Sequence, residues 1–375
     1  MPALLPDIDP DGLLEYSVVY TDRALNHMSK RFQGVMNDIS AILKSVYRGH
    51  SAIIVPGSGT FGMEAVARQF AGGQQVLVVR NGWFSYRWSQ IFSMGGVVAG
   101  ETVMKARQVK PGTQAPFTPA PIDEVTAAIR RNKPAVVFAP HVETSAGMIL
   151  PDDYLKALAD AVHEVDGLLV VDCVASGTVW LDMKALDIDV LISAPQKGWS
   201  GTPCAALVML GERARQRIDS TTSSSYSCDL KKWLQIMEAY EAGGHLYHAT
   251  LPTDSLAKVR DVMLQTRELG FENMARAQWE LGRQARRVLE AAGYPSVAAE
   301  GFQAPGVVVS YTTNLAMQSS KAFAELGLQT AAGVPMQCDE PADFRTFRVG
   351  LFGLDKLQNI GRTVQTLEQA VAKIN

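Results

Sequence analysis

The sequence predicts an α/β fold, with a large part built on a mostly parallel sheet between helices and a smaller α+β part toward the C-terminus. Two observations predict this class. Short apolar runs alternate with longer helical stretches over roughly the first 200 residues, which is typical of layered α/β sheets. The runs are almost continuously apolar, as expected for strands that are buried on both faces.

The large part contains six predicted strands with helices between them. The apolar runs predicted as strands are 51–55, 76–79, 135–138, 167–171, 190–192 and 205–210. Apolar residues recur at helical spacing over the predicted helices 60–70, 122–132 and 152–164. The third of these follows a Pro-Asp-Asp start signal at 151–153.

The pattern changes near residue 212. A polar, serine-rich stretch at 212–245 is helical in patches, and a long helical stretch runs from about 253 to about 292. Strands are predicted at 306–311 and 344–349, followed by an amphipathic helix at 357–374. This organisation predicts an N-terminal arm (1–22), a large domain (23–252) and a small C-terminal domain (253–375).

Composition excludes several classes of function. Of 375 residues, 47% are hydrophobic and 19% charged, which suits a folded core rather than a disordered chain. The net charge of −3 disfavours nucleic acid and anionic membranes as partners. No uncharged apolar run approaches the roughly 18 residues of a membrane helix, and the start lacks a basic signal region.

Cysteine and histidine usage predicts neither disulfides nor a metal site. The cysteines at 173, 204, 228 and 338 show no CxxC spacing, and the six histidines form no zinc motif. Such cysteines are typical of buried or incidental thiols in a reducing compartment, so the expected location is the cytoplasm.

A glycine-rich turn is the first candidate for chemistry. Ser58, Gly59 and Thr60 belong to a Gly-Ser-Gly-Thr turn that follows a predicted strand and opens a predicted helix. Glycine lets the backbone approach a ligand, and a helix N-terminus favours an anion. The spacing fits neither a Walker motif nor GxGxxG, and an ordinary tight turn with a helix cap explains it equally well.

Two further candidates follow buried strands. Asp172 ends one strand at the edge where open α/β sheets bind ligands, although a helix-capping aspartate would look the same. Lys197 follows the next strand among Ser, Gly and Trp, where burial would lower its pKa and favour Schiff-base chemistry. The alternative is a loop lysine whose aliphatic stem is buried.

The three candidates together match the requirements of a pyridoxal phosphate site. The turn would hold the phosphate, Asp172 would pair with the pyridinium nitrogen, and Lys197 would form the Schiff base. The interval between Asp172 and Lys197 leaves room for one connection and one further strand, so both side chains can lie at one edge of the sheet.

From about residue 25 to the C-terminus, the sequence resembles the class V aminotransferases of fold type I, in their alanine–glyoxylate and serine–pyruvate branch. The resemblance rests on the 57–60 turn, the 81–84 segment, the 141–147 loop, Asp172 and the Gln-Lys pair at 196–197. It implies pyridoxal 5'-phosphate as the cofactor. It further implies that Phe84 stacks on the cofactor ring, that Thr144 contacts its hydroxyl, and that Gln196 lies beside its phosphate.

Two later segments extend the resemblance. The 247–252 segment implies that Tyr247 and Thr250 bind the phosphate of a neighbouring subunit, and therefore a homodimer with shared active sites. The Phe-Arg-Val-Gly run at 347–350 implies that Arg348 clamps the α-carboxylate of the substrate. On residue type alone, an arginine on a strand is more often part of a structural ion pair.

The implied reaction moves an amino group from a small amino-acid-like donor to a small 2-oxo acid, with glyoxylate or pyruvate favoured. A lyase, a desulfurase or an epimerase of the same fold is the alternative, and a desulfurase would use a cysteine such as Cys228 or Cys338. A non-enzymatic cofactor-binding module is disfavoured by the intact Lys, Asp and Arg set. The chain departs from the family at residues 15–22 and at Val142, where the family has glycine, so the donor stays open.

Overall fold

A computed structural model describes residues 8–374 of the chain. Its strands, numbered in chain order, are β1 (Ser51–Pro56), β2 (Gln75–Arg80), β3 (Gly100–Lys105), β4 (Arg107–Gln108), β5 (Phe117–Thr118), β6 (Val136–Pro140), β7 (Val142–Glu143), β8 (Met148–Ile149), β9 (Leu168–Asp172), β10 (Val190–Ser193), β11 (Ala205–Leu210), β12 (Val307–Tyr311), β13 (Ala331–Ala332) and β14 (Thr346–Gly350). The strands predicted from continuous apolar runs are all present.

The helices connect and cover these strands. They are α1 (Lys30–Tyr47), α2 (Gly59–Phe70), α3 (Trp83–Gly95), α4 (Ile122–Asn132), α5 (Asp152–Glu164), α6 (Glu212–Ile218), α7 (Leu230–Glu241), α8 (Thr253–Leu269), α9 (Phe271–Ala291), α10 (Leu315–Gln318), α11 (Lys321–Ala324), α12 (Leu354–Gln358) and α13 (Ile360–Ile374). Helices α2, α4 and α5 lie where the sequence predicts them.

The central sheet has the strand order β1-β11-β10-β9-β6-β2-β3. Strands β3, β2, β6, β9 and β10 are parallel, and β11 is antiparallel to both of its neighbours, β1 and β10. Strand β1 therefore runs in the same direction as the parallel strands. As a result, the carboxyl ends of β1, β9 and β10 open at one edge of the sheet, with β11 inserted between β1 and β10.

The smaller sheet is antiparallel, in the order β12-β14-β13. Helix α9 packs on β12, and α12 and α13 pack on α9. The helical stretch predicted at 253–292 is two helices, because Gly270 adopts a φ of +87° that breaks the helix. Helix α8 packs on α1, whereas α9 belongs to the smaller layer. The predicted terminal helix is also interrupted, at Asn359.

Three substantial elements lie outside those predicted: α1, α3 and β3. Helix α1 begins at a Ser29 cap that accepts a hydrogen bond from the Phe32 amide, and it buries Phe32, Val35 and Ile39 on one face. Strand β3 is one of the two edge strands and is mostly half-buried, so its sequence lacks a continuous apolar run. None of the helices within residues 8–374 is both long and apolar enough to cross a lipid bilayer.

Candidate active site

The turn between β1 and α2 brings the backbone close to the sheet edge. Gly57 has a φ of +121°, a conformation that favours glycine. A Cβ on Gly59 would lie 2.7 Å from a methyl group of Val174, so only glycine allows this approach. The side chain of Ser58, the N-cap residue, makes no capping hydrogen bond. The turn therefore presents a hydroxyl and the first amides of α2 to the neighbouring cleft.

Asp172 ends β9 and Lys197 follows the adjacent parallel strand β10, as the sequence predicts. The Asp172 carboxylate accepts a hydrogen bond of 2.9 Å from the Val174 amide. Burial raises the pKa of Asp172 to about 6, although the Val174 amide and the Lys197 charge oppose the rise. Burial lowers the pKa of Lys197, and Asp172 opposes that shift. The amine is thus closer to its neutral, nucleophilic form than a surface lysine.

The aromatic ring of Phe84 lies at the centre of three cationic side chains. The Lys197 amine is 6.0 Å from the ring centroid. The guanidinium carbons of Arg87 and Arg348 lie 5.2 and 5.5 Å from it. The Lys197 amine also lies 5.5 Å from the ring of Phe352. The cleft therefore combines a flat aromatic surface with an excess of positive charge.

Arg348 reaches this cleft from β14 of the smaller sheet. Its Nε donates a 2.8 Å hydrogen bond to the carbonyl of Ala332 on β13. The side chain is half-buried and its burial lowers its pKa. Among the residues described, no carboxylate forms an ion pair with it. The terminal nitrogens of the guanidinium are therefore placed to bind a carboxylate in the fork geometry that arginine favours.

Glu143, which sequence reasoning did not single out, organises the entrance of α3. It is fully buried and accepts hydrogen bonds from the amides of Phe84 (3.1 Å), Ser85 (2.9 Å) and Ser145 (3.0 Å). The hydroxyls of the two serines also donate to it, each at 2.7 Å. The carboxylate therefore caps the N-terminus of α3 and fixes the backbone that carries Phe84.

Arg87 is a second residue of the site that the sequence analysis did not identify. Its Nη1 donates a 2.9 Å hydrogen bond to the hydroxyl of Thr60. The signal available in the sequence is its spacing, three residues after Phe84 on a helix that opens at Trp83. Without a prediction of α3, that spacing could not be interpreted.

Eight of the ten residues predicted to hold the cofactor line one cleft, which measures about 520 Å³ when the solvent at its open mouth is included. Its walls are formed by Ser58, Gly59, Thr60, Met63, Phe84, Arg87, Val142, Thr144, Asp172, Val174, Ala175, Gln196 and Lys197. The Oε1 atom of Gln196 is buried here without a hydrogen-bond partner among the described residues, as expected where a polar ligand belongs. The donors, the aromatic surface, Asp172 and Lys197 fit pyridoxal phosphate.

Two predicted cofactor ligands lie outside this cleft. Tyr247 is 54% exposed, and its hydroxyl lies 3.2 Å from that of Thr250, which is also exposed. The neighbouring Tyr20 donates a hydrogen bond to the Leu251 carbonyl, so the unusual 15–22 segment leads to this surface. The assignment of Tyr247 and Thr250 to a neighbouring subunit's site stays a prediction.

The cysteines considered for a desulfurase are withdrawn from the cleft. Cys228 and Cys338 are 6% and 4% exposed, and neither lines the cleft. Burial raises the pKa of Cys338 to about 12, which suppresses its thiolate. This arrangement disfavours either thiol as a nucleophile toward a substrate at Lys197.

The fold and the cleft together define a pyridoxal-phosphate enzyme of fold type I. The chain belongs to the class-V aminotransferase family, whose sequence profile matches residues 13–325. It is therefore an aminotransferase, and its cofactor is pyridoxal 5'-phosphate.

Named relatives of this chain are aminotransferases. It is 26% identical to the alanine–glyoxylate aminotransferase of Callithrix jacchus over 362 residues, covering 92% of this chain and 82% of that protein. It is 27% identical to the 2-aminoethylphosphonate–pyruvate transaminase of Klebsiella pneumoniae over 274 residues, covering 70% and 68%. The crystal structure of an alanine–glyoxylate aminotransferase from Nostoc shares the fold with a TM-score of 0.76 at 22% identity, covering 92% of this chain and 88% of that one.

Proposed function

We propose that this enzyme transfers an amino group from a small amino-acid-like donor to glyoxylate or pyruvate, with Lys197 and Asp172 as its catalytic residues. The observation that carries the proposal is that Lys197 and Asp172 line one cleft, and that the Arg348 guanidinium lies 5.5 Å from the ring of Phe84, which lines the same cleft. The acceptors are those in the names of the relatives from Callithrix and Klebsiella.

The cofactor, when bound, supplies a ring that accepts the electron pair left when a proton leaves the α-carbon of the donor. Lys197 holds the cofactor and then serves as the base that takes this proton and returns it, because its lowered pKa keeps part of the amine neutral. The Asp172 carboxylate stabilises a positive charge on the ring nitrogen. Phe84 and Thr144 orient the ring, while Ser58, Gly59, Thr60 and Gln196 bind the phosphate.

Arg348 binds the α-carboxylate of the donor or acceptor. Its one side-chain hydrogen bond within residues 8–374, to Ala332, uses Nε and leaves the two terminal nitrogens for the substrate. Val142, buried to 4% exposure, lines the cleft where the family has a glycine, and this added volume favours a small substrate.

We further propose that the enzyme is a cytoplasmic homodimer with shared active sites, and that its domains divide at residues 22 and 252. The surface near Tyr247 supports the dimer, because large apolar side chains are exposed on the arm and on the nearby loops. These are Leu13, Tyr16, Val18, Tyr226 and Leu246. Several large exposed apolar side chains of this kind are typical of an interaction surface.

An absorbance titration of the purified holoenzyme tests the reaction. The visible band of the bound cofactor should convert to its aminated form with one amino donor, and glyoxylate or pyruvate should restore it. Lys197→Ala should abolish this band and turnover, whereas Lys184→Ala, at an exposed position, should leave both unchanged. A band that persists with every donor would instead favour a lyase or an epimerase. Full turnover in Lys197→Ala would show that Lys197 neither holds the cofactor nor acts as the base.

A further inference from the structure

Arg87 carries a positive charge into the cleft without a carboxylate partner among the described residues. It is half-buried on α3, where its guanidinium lies against the Phe84 ring, and its one side-chain hydrogen bond within the described residues goes to a neutral hydroxyl, that of Thr60. A partly desolvated charge is costly unless an opposite charge or several acceptors meet it. The structure therefore leaves room for an anion beside Arg87.

The contact with Thr60 locates that anion. Thr60 lies in the first turn of α2, where the amides precede the first helical hydrogen bond, from Gly62 to Ser58. These amides carry the positive end of the helix dipole. Because Arg87 donates to Thr60, the hydroxyl hydrogen of Thr60 is directed elsewhere and can donate to a ligand. Arg87, Thr60 and the α2 amides therefore present donors to one point.

The two carboxylates of the site have hydrogen-bond partners other than Arg87, although the Arg87 charge is the smallest of the influences on the pKa of Asp172 and opposes its rise. Glu143 already accepts five hydrogen bonds at the entrance of α3, all from Phe84, Ser85 and Ser145. Asp172 accepts a hydrogen bond from Val174. Neither forms an ion pair with Arg87 within the described part of the chain. A doubly charged group such as a phosphate fits a helix N-terminus combined with an arginine.

We propose that Arg87 is a direct ligand of the cofactor phosphate, acting together with Thr60 and the N-terminus of α2. This inference rests on the proposed function, because it takes the phosphate to be that of pyridoxal phosphate. It differs from a purely structural role in which Arg87 supports Phe84 and Thr60. A ligand that lacks the phosphate distinguishes the two roles. A phosphate ligand should matter only for the phosphorylated cofactor, whereas a structural support should matter equally for both forms.

The test compares the affinities of the apo-protein for pyridoxal 5'-phosphate and for pyridoxal, which lacks the phosphate. Both are titrated by cofactor absorbance and by quenching of tryptophan fluorescence. In Arg87→Gln, the Kd for pyridoxal phosphate should rise about 10- to 100-fold, the range for loss of one or two charge-assisted hydrogen bonds. The Kd for pyridoxal should change less than about threefold. Arg87→Lys should retain part of the preference for the phosphorylated form.

Arg348→Gln is the matched control, because it removes a guanidinium at nearly the same distance from Phe84 without touching Thr60. It should keep the wild-type ratio of the two affinities. Thermal melting checks that each variant is folded. If Arg87→Gln does not fold, the ratio of the two Kd values is measured in Arg87→Lys instead, and a reduced preference for pyridoxal phosphate supports the proposal.

Two outcomes would overturn the assignment, and they are distinguishable from failure of the proposed function. Equal weakening of both ligands in Arg87→Gln would show that Arg87 only supports the site. If Arg87→Gln and Arg348→Gln reduce the preference for pyridoxal phosphate over pyridoxal to the same extent, the preference reflects the overall positive charge of the cleft. In both cases the wild type still binds its cofactor through Lys197. A wild type that binds neither ligand would instead refute the proposed function.

Discussion

The buried position of Asp172 destabilises its ionised carboxylate in the apo-protein. Its pKa rises from 3.8 to about 6 because burial penalises the charged form. The folded apo-protein therefore holds this proton more tightly than the unfolded chain. Between those two pH values stability falls as pH rises, and above about pH 6 the whole penalty applies. A positively charged ring nitrogen would remove part of that penalty on binding.

Asp172→Asn should consequently stabilise the apo-protein near pH 7.5 while weakening its cofactor site. The expected gain is on the order of 2 kcal/mol, shrinking as the pH falls from 6 toward 4 and vanishing only well below pH 3.8, where wild-type Asp172 is protonated in both states. Melting temperatures of the apo-protein from pH 4 to pH 8 measure the first effect, and cofactor titration measures the second. Asp123→Asn, on the exposed first turn of α4, serves as the surface control. A constant difference between the variant and the wild type at all pH values would contradict the linkage.

At the scale of elements, the entrance of α3 depends on a carboxylate from a different segment. Glu143 on β7 satisfies the amides of Phe84 and Ser85 and so sets where α3 begins. A helix N-terminus otherwise leaves four amides without partners. The position of Phe84, and one turn later that of Arg87, is therefore fixed by the 141–147 loop.

Glu143→Ala should destabilise the apo-protein by on the order of 3 kcal/mol, because buried amides and hydroxyls lose their acceptor. It should also weaken cofactor binding, since Phe84 and Arg87 lose their fixed backbone. Urea unfolding of the apo-protein and cofactor titration measure the two effects. Glu124→Ala removes a carboxylate that pairs with Arg107 on the surface, and it should cost at most about 1 kcal/mol. Similar losses in the two variants would contradict the capping role.

The same elements show what the sequence could and could not predict. Strands such as β9 and β10 are fully apolar up to their last residues, so both they and the positions of Asp172 and Lys197 at their ends were predictable. Helix α3 was not, because its Trp-Phe-Ser-Tyr-Arg-Trp start lacks a clear apolar stripe. Glu143 and Arg87 act through partners that are distant in sequence, a relation that local patterns do not contain.

At the scale of the whole molecule, the predicted site includes residues from a second subunit. Tyr247 and Thr250 lie on an exposed surface away from the cleft of their own chain. The sequence pattern of one chain cannot show which site Tyr247 and Thr250 belong to, because the phosphate that they are predicted to bind lies in another copy of the chain.

Mixed dimers test this arrangement. Lys197→Ala should be inactive, and Tyr247→Ala should bind its cofactor weakly. Unfolding the two variants together and refolding them should restore activity, because one site of each mixed dimer then has both Lys197 and Tyr247. Up to about a quarter of the wild-type activity is expected, since half of the dimers are mixed and each has one intact site. Two copies of Lys197→Ala provide the baseline, and sedimentation confirms the dimer. Absence of any recovery in dimers that form would show that each subunit's site is self-contained.

Strand β11 has a consequence for how the chain folds during synthesis. Among the strands of the described chain, β1 pairs in the central sheet only with β11, through a ladder that runs from Ser51–Leu210 to Pro56–Ala205. A nascent chain that has not yet reached residue 205 therefore holds an apolar strand with no ladder partner, which is a template for aggregation. The phosphate turn that follows β1 stays remote from Lys197 until the same pairing forms. The ability to capture cofactor should thus appear late, in one step, once β11 has left the ribosome.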